Sequence, residues 1–149
     1  MPLFINQKFI MERVSINVPG KVLFTYGFKI VAEDINIANH MGNERILVYT
    51  NIIREACFVS LGLMKYETFE KGTIIANHSI QYKNEGFLDD EITCEVGLQN
   101  LTAYSFDIVF HFIKQNKKTL AMVRTGCVYF NYALREKQHL PDFYQSFIS

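Results

Sequence analysis

Tryptophan is absent from the 149-residue chain, and proline and cysteine occur only three times each. Cys57, Cys94 and Cys127 are odd in number and far apart, so they form neither a closed disulfide framework nor a Cys-x-x-Cys or other metal-ligand spacing. Cys57 and Cys127 lie among apolar neighbours, where a free thiol behaves as a small core residue. Charge of one sign is lacking too: 15 Lys and Arg balance 15 Asp and Glu. A nucleic-acid binder usually carries a basic stripe, and the only dense basic cluster, Lys114, Lys117 and Lys118, falls at a hairpin tip. It reads as a solvated turn. No stretch approaches the ~20 apolar residues of a membrane span, and residues 1–18 lack the basic start and long apolar run of a signal peptide. The expected compartment is the cytoplasm, with no nucleic-acid, membrane or metal partner.

What is present is apolar and aromatic. Hydrophobic residues make up 49% of the chain, with 13 Phe and 8 Tyr, a usage that suits packed sheet surfaces. The length fits one domain over residues 1–149, with no repeat or linker. Residues 1–20, ending at Pro19-Gly20, read as an arm or first strand, and residues 21–33 as a strand. Residues 34–43 break the pattern with Asp, Asn, His and Gly. Asn43 then stands as N-cap of a helix over residues 44–61, closed by Gly62. That helix is apolar around most of its circumference, with a polar stripe of Glu44, Asn51 and Glu55, which predicts burial on more than one side. Strands follow over residues 73–83, 91–101, 103–115 and 118–132, then a tail over 139–149 with a short helix at 142–147. The expected class is α+β: a long central helix wrapped by an antiparallel sheet of about five strands. One face of such a sheet stays apolar enough to need a second subunit, so a homodimer or homotetramer is expected.

The loop before the helix concentrates the chemistry. Asp34, Asn36, Asn39, His40, Asn43 and Glu44 fall within eleven positions, beside a helix start with its unpaired N–H groups and partial positive charge. Such donors can hold a developing oxyanion, and Gly42 lets a ligand approach the backbone. Asp, Asn and Gly are equally ordinary turn and cap residues, so composition leaves both readings open.

The same stretch resembles the motif of hotdog-fold acyl-CoA thioesterases of the 4-hydroxybenzoyl-CoA thioesterase type. That motif runs Asp-x-Asp-x-x-Gly-His-x-Asn-Asn and leads into a helix with aromatic residues and Glu-Ala. Here it reads Asp34, Asn36, Asn39, His40, Gly42 and Asn43, then Tyr49 and Glu55-Ala56. The resemblance implies a hotdog fold, coenzyme A as part of the substrate and no separate cofactor. It places the backbone N–H of Asn43 at the thioester oxygen, His40 near the carbonyl or the water, and Asp34 in a mainly structural position beside the substrate. It also implies that Thr73, Ile74 and Ile75 line the acyl groove and that Lys83 meets pantetheine or phosphate. An exposed strand-end lysine is the plainer reading of Lys83.

One position departs from the motif. Where the family usually carries its second Asp as nucleophile or general base, this chain has Asn36, which cannot take a proton from water. Glu44, in the first helical turn, is the candidate replacement, and an acidic residue suiting the helix dipole is its alternative reading. Two other functions follow from the same residues. Hotdog enoyl-CoA hydratases resemble Asp-x-Asn-Pro-x-His; Asp34-x-Asn36 begins that way, but Pro is missing and His40 comes one residue late. A hotdog protein that binds an acyl thioester without turnover is the non-enzymatic alternative.

Overall fold

The computed structural model describes residues 13–148. Most of the expected N-terminal arm, residues 1–12, lies outside the described residues; residues 13–20 are extended coil and form no strand. Six strands and one long helix follow: β1 (Phe24–Lys29), α1 (Asn43–Ser60), β2 (Lys71–Tyr82), β3 (Glu91–Gln99), β4 (Ser105–Lys114), β5 (Thr119–Asn131) and the two-residue β6 (Glu136–Lys137). The expected tail helix is a 3-10 turn over Asp142–Phe147. The first strand is shorter than its apolar composition indicates. After Ile30 the chain turns into a 3-10 helix at Ala32–Asp34, because the carboxylate of Asp34 turns back to accept the N–H of Val31 at 3.0 Å.

The sheet is antiparallel in the order β1-β3-β4-β5-β2, with β6 joined to β5. The four long strands after the helix are therefore not one meander. β3, β4 and β5 are, but β2 pairs with β5 along twelve residues, from Lys71 opposite Asn131 to Tyr82 opposite Ala121. Residues 83–90 must then cross the end of the sheet to reach β3. That crossover passes beside the N-terminus of α1 and makes one wall of the site below.

Strand alternation divides the sheet cleanly. Ile92, Cys94 and Val96 of β3, Ile108, Phe110 and Phe112 of β4, and Ala121, Val123 and Cys127 of β5 belong to the core and are at most 2% exposed. Ile46, Ile53, Cys57 and Phe58 of α1 join the same core. All three cysteines are free and buried, and burial raises their pKa, that of Cys57 to about 12. They are core residues.

The opposite face corrects an expectation. It is not a broad apolar surface, because alternation places Glu95, Asp107, His111 and Arg124 there, all half-buried. Its apolar centre, Val109 and Met122, is covered by Ile16 of the extended N-terminal segment. Exposed apolar side chains instead lie on α1, at Val48, Ile52 and Val59, and at Ile74 on β2. The helix is thus buried on one side of the chain and not on most sides.

Gly97 is where the extended segment touches the sheet. A Cβ there would stand 2.5 Å from the carbonyl oxygen of Lys21 and 2.7 Å from the Cβ of Pro19. Backbone must move to admit it, so Gly97→Ala should cost about 1–3 kcal/mol and loosen residues 13–22. Thermal unfolding and limited proteolysis check this. An unchanged melting temperature with an equally protected segment would contradict the contact.

Candidate functional site at the start of the helix

Asp34 organises the loop and is itself out of reach. Its side chain is buried, and its carboxylate accepts from the Val31 N–H at 3.0 Å, Arg45 Nε at 2.8 Å and the Tyr49 hydroxyl at 2.6 Å. Burial alone would raise its pKa; the hydrogen bonds from Tyr49, Val31 and Arg45 and the guanidinium charge outweigh that, and the net direction is down. Tyr49 responds in the opposite sense, pushed up to about 12 by burial and by the carboxylate. Its ring stacks on Phe28 at 3.9 Å, tying the helix to β1. The expectation that Asp34 touches substrate is corrected: with 1% exposure it has no face to offer.

Residues 36–40 form a tight turn above that anchor. The Asn36 N–H donates to the His40 carbonyl at 3.0 Å and the Asn39 N–H to the Asn36 carbonyl at 3.0 Å. Asn36 Oδ1 accepts the Ala38 N–H at 2.9 Å, so its side chain closes an Asx turn, and its NH2 can still donate to a ligand. Asn39, at the glycine position of the motif, has φ of 64°, a conformation asparagine tolerates better than most residues. A bridge between Ile35 and Met41 closes the base of the turn.

His40 is half-buried, with Nδ1 3.1 Å from the carbonyl oxygen of Met41. A carbonyl only accepts, so Nδ1 carries the proton in that bond and the neutral ring leaves Nε2 with a lone pair.

The helix begins one residue earlier than its polar pattern indicates. Gly42 is the N-cap and Asn43 the first helical residue. The Gly42 N–H is spent on the Asp34 carbonyl at 2.9 Å, and the Arg45 N–H on the Gly42 carbonyl at 3.0 Å. Between them, Asn43 and Glu44 have N–H groups with no acceptor inside the helix. The Glu44 carboxylate folds back over Gly42, where a Cβ would come 2.5 Å from its Oε1. Burial, and then Glu44, raises the pKa of Tyr82, whose hydroxyl donates to the Asn43 carbonyl at 3.0 Å.

The crossover supplies the second wall. Met41 N–H donates to the Gly86 carbonyl at 2.7 Å, joining the two loops. Gly86 packs closely, since a Cβ would lie 2.7 Å from Ile30 Cδ1 and 3.4 Å from Met41 Cβ, and Ile30 would have to shift to admit it. Lys114 Nζ holds the same loop from outside, donating to the Glu85 carbonyl at 2.8 Å and pairing with Asp90 at 3.3 Å. The N–H groups of Lys83 and Asn84 both reach the Leu120 carbonyl, at 2.9 and 3.2 Å.

Together these walls enclose a cavity of about 390 Å³. Its floor is apolar, from Met41, Ile46 and Leu120; Asn36, His40 and Asn43 bring polar groups to it from the helix side, and Tyr82, Lys83, Asn84 and Glu85 from the crossover. Five expected site residues therefore meet: Asn36, His40, Gly42, Asn43 and Lys83. Glu44 stays outside the lining, over the N-cap. Thr73 and Ile75 lie elsewhere, in a recess of about 190 Å³ with Arg54, Glu55 and Phe58. Glu67 occupies Thr73 there, accepting its N–H at 2.7 Å and its hydroxyl at 2.5 Å. Ile74, one position on, faces the opposite side of the sheet and is 37% exposed. The acyl-groove expectation for Thr73, Ile74 and Ile75 is thus not met within one chain. Gly86 and Leu120 were missed, because only the strand order brings them to the helix start.

The family model described as the thioesterase-like superfamily matches residues 30–148. A comparison with curated proteins finds no match. Among solved structures, a 1,4-dihydroxy-2-naphthoyl-CoA thioesterase from Synechocystis is similar with a TM-score of 0.75 at 19% identity, over 84% of this chain and 94% of that one. A gentisyl-coenzyme A thioesterase matches with a TM-score of 0.72 at 18% identity, over 82% and 99%. A hypothetical protein from Staphylococcus aureus, solved in complex with CoA, matches with a TM-score of 0.71 at 14% identity, over 90% and 85%. At these identities the likeness is one of fold.

Asp34 yields a signed pH dependence. Its folded pKa lies below the ordinary 3.8, so the fold favours the charged form. That stabilisation is complete above the unfolded value and is lost as pH falls through the folded one. Asp34→Asn should cost about 3 kcal/mol near pH 7, and the gap to wild type should narrow steadily below pH 3.8. Denaturant unfolding at a series of pH values checks it; a gap independent of pH would refute the assignment.

Proposed function

The chain belongs to the thioesterase-like superfamily, and we propose that within it the protein hydrolyses an acyl-CoA thioester to a carboxylic acid and free CoA. The observation that carries this reading is the pair of N–H groups of Asn43 and Glu44, left without helical acceptors at the edge of a cavity with an apolar floor. A thioester carbonyl placed there gains donors where negative charge develops in the transition state. Met41, Ile46 and Leu120 would receive the first part of the acyl group. Lys83 would meet the pantetheine or phosphate end as a point charge. Asn36 would donate its NH2 to the carbonyl or to the attacking water, with His40 and Glu44 close by in the same loop and first helical turn.

The assembly and compartment are part of the proposal. Exposed Val48, Ile52 and Val59 on α1 and Ile74 on the edge strand β2 support a homodimer or homotetramer. Across such an interface Thr73, Ile74 and Ile75 would contribute to the acyl groove. Three free, buried thiols suit the reducing cytoplasm. Among the described residues no helix is long and apolar enough to cross a membrane. No cofactor beyond the CoA of the substrate enters the proposed reaction.

A panel of short, long and aromatic acyl-CoAs, followed by thiol release, tests the activity. Turnover of at least one is expected; silence across the panel would overturn it. The binding-only reading draws on Asn36, which stands where a carboxylate would serve as base. Asn36→Asp separates the two. Aspartate keeps an oxygen for the Ala38 N–H, so the turn should persist and the melting temperature stay within a few degrees. If Asn36 donates to the carbonyl, the new charge opposes the oxyanion and kcat should fall about tenfold or more. A comparable rise would favour a wild-type protein that binds without useful turnover.

A further inference from the structure

We propose that His40 Nε2 is the general base of this site, replacing the carboxylate that position 36 lacks; this rests on the hydrolase reading. The other polar groups near the turn are less well placed for that role. Asp34 is closed off by its three donors. Asn36 closes its turn on the Ala38 N–H and, as an amide, cannot take a proton from water. Glu44 folds over the helix cap outside the cavity lining, and Glu85, which does line it, belongs to the crossover wall and not to the turn that leads into the helix.

His40 combines a place in the cavity with a ring orientation set by a hydrogen bond. Its Nδ1–H is fixed on the Met41 carbonyl at 3.1 Å. The residues on both sides of that bond are held as well: the His40 carbonyl accepts from Asn36 and the Met41 N–H donates to Gly86. A ring so held presents Nε2, unprotonated in the neutral form, from the same turn that ends beside the N–H groups of Asn43 and Glu44. The backbone carbonyl takes the orienting part that a third group plays in other hydrolytic sites.

The step balances without a further reactant. Nε2 takes a proton from water as the water oxygen bonds to the thioester carbon. The carbonyl electron pair moves to its oxygen, held by the helix N–H groups. Collapse restores the C=O bond and breaks C–S, and the departing sulfur takes the proton back from Nε2. Acid and thiol leave, and the imidazole is neutral again.

The test compares wild type with His40→Ala on whichever acyl-CoA the wild type hydrolyses best. We expect kcat to fall about 10²–10⁴-fold, partial rescue by added imidazole, and loss of the acid limb of the kcat profile. Binding of a thioether analogue of that acyl-CoA should change less than threefold. In the unsubstituted protein, ¹⁵N NMR should find the proton of neutral His40 on Nδ1. This second measurement stands even if the variant misfolds. Wild-type turnover with a His40→Ala rate within threefold, or a neutral ring protonated on Nε2, would overturn the base assignment and leave the hydrolase reading intact. A wild type silent on every acyl-CoA would overturn both.

Discussion

A buried carboxylate holding three donors from three places in the chain is the constraint on which the site depends. Asp34 takes one hydrogen bond from the strand side, at Val31, and two from the helix, at Arg45 and Tyr49. A buried charge is tolerated only when its lone pairs are occupied, so satisfying Asp34 fixes the angle between the end of β1 and the first turns of α1. Its backbone carbonyl also accepts the Gly42 N–H. The loop between has its two ends pinned, and what lies in it, Asn36 to Met41, becomes a rigid turn.

The second wall comes from sheet order. Because β2 pairs with β5 and not with β3, residues 83–90 must span the end of the sheet, and the shortest path runs beside the helix start. Gly86 marks the closest approach. Two loops distant in sequence are joined by a 2.7 Å hydrogen bond and by close packing around Gly86. The cavity is what remains between them.

Sequence pattern gave a good account of whatever local chemistry decides. The long helix, the alternation of Phe106, Ile108, Phe110 and Phe112, and the 3-10 turn over Asp142–Phe147 all follow from periodicity and turn residues. The polar loop also stood out by composition, and the motif placed Asn36, His40, Gly42 and Asn43 in it, where the cavity has them. What pattern did not reveal was pairing between strands far apart in the chain. That hid the crossover, and with it Gly86 and Leu120. It also made the outer sheet face look like an interface, when Ile16 covers its centre. Asp34 and Glu44 show a second limit: a carboxylate in a promising position is silent about whether donors have already claimed it and whether it turns toward the cavity.

The donors of the proposed oxyanion site are main-chain groups of Asn43 and Glu44, whereas the cavity floor is built from the side chains of Met41, Ile46 and Leu120. These two parts of the site are therefore encoded separately. Substitutions in the floor can reshape the space offered to an acyl group while the polarising atoms, which every non-proline residue carries, stay where the helix puts them. Over evolutionary time such a scaffold can exchange one acyl preference for another through small steps, none of which has to pass through a chain that has lost its chemistry.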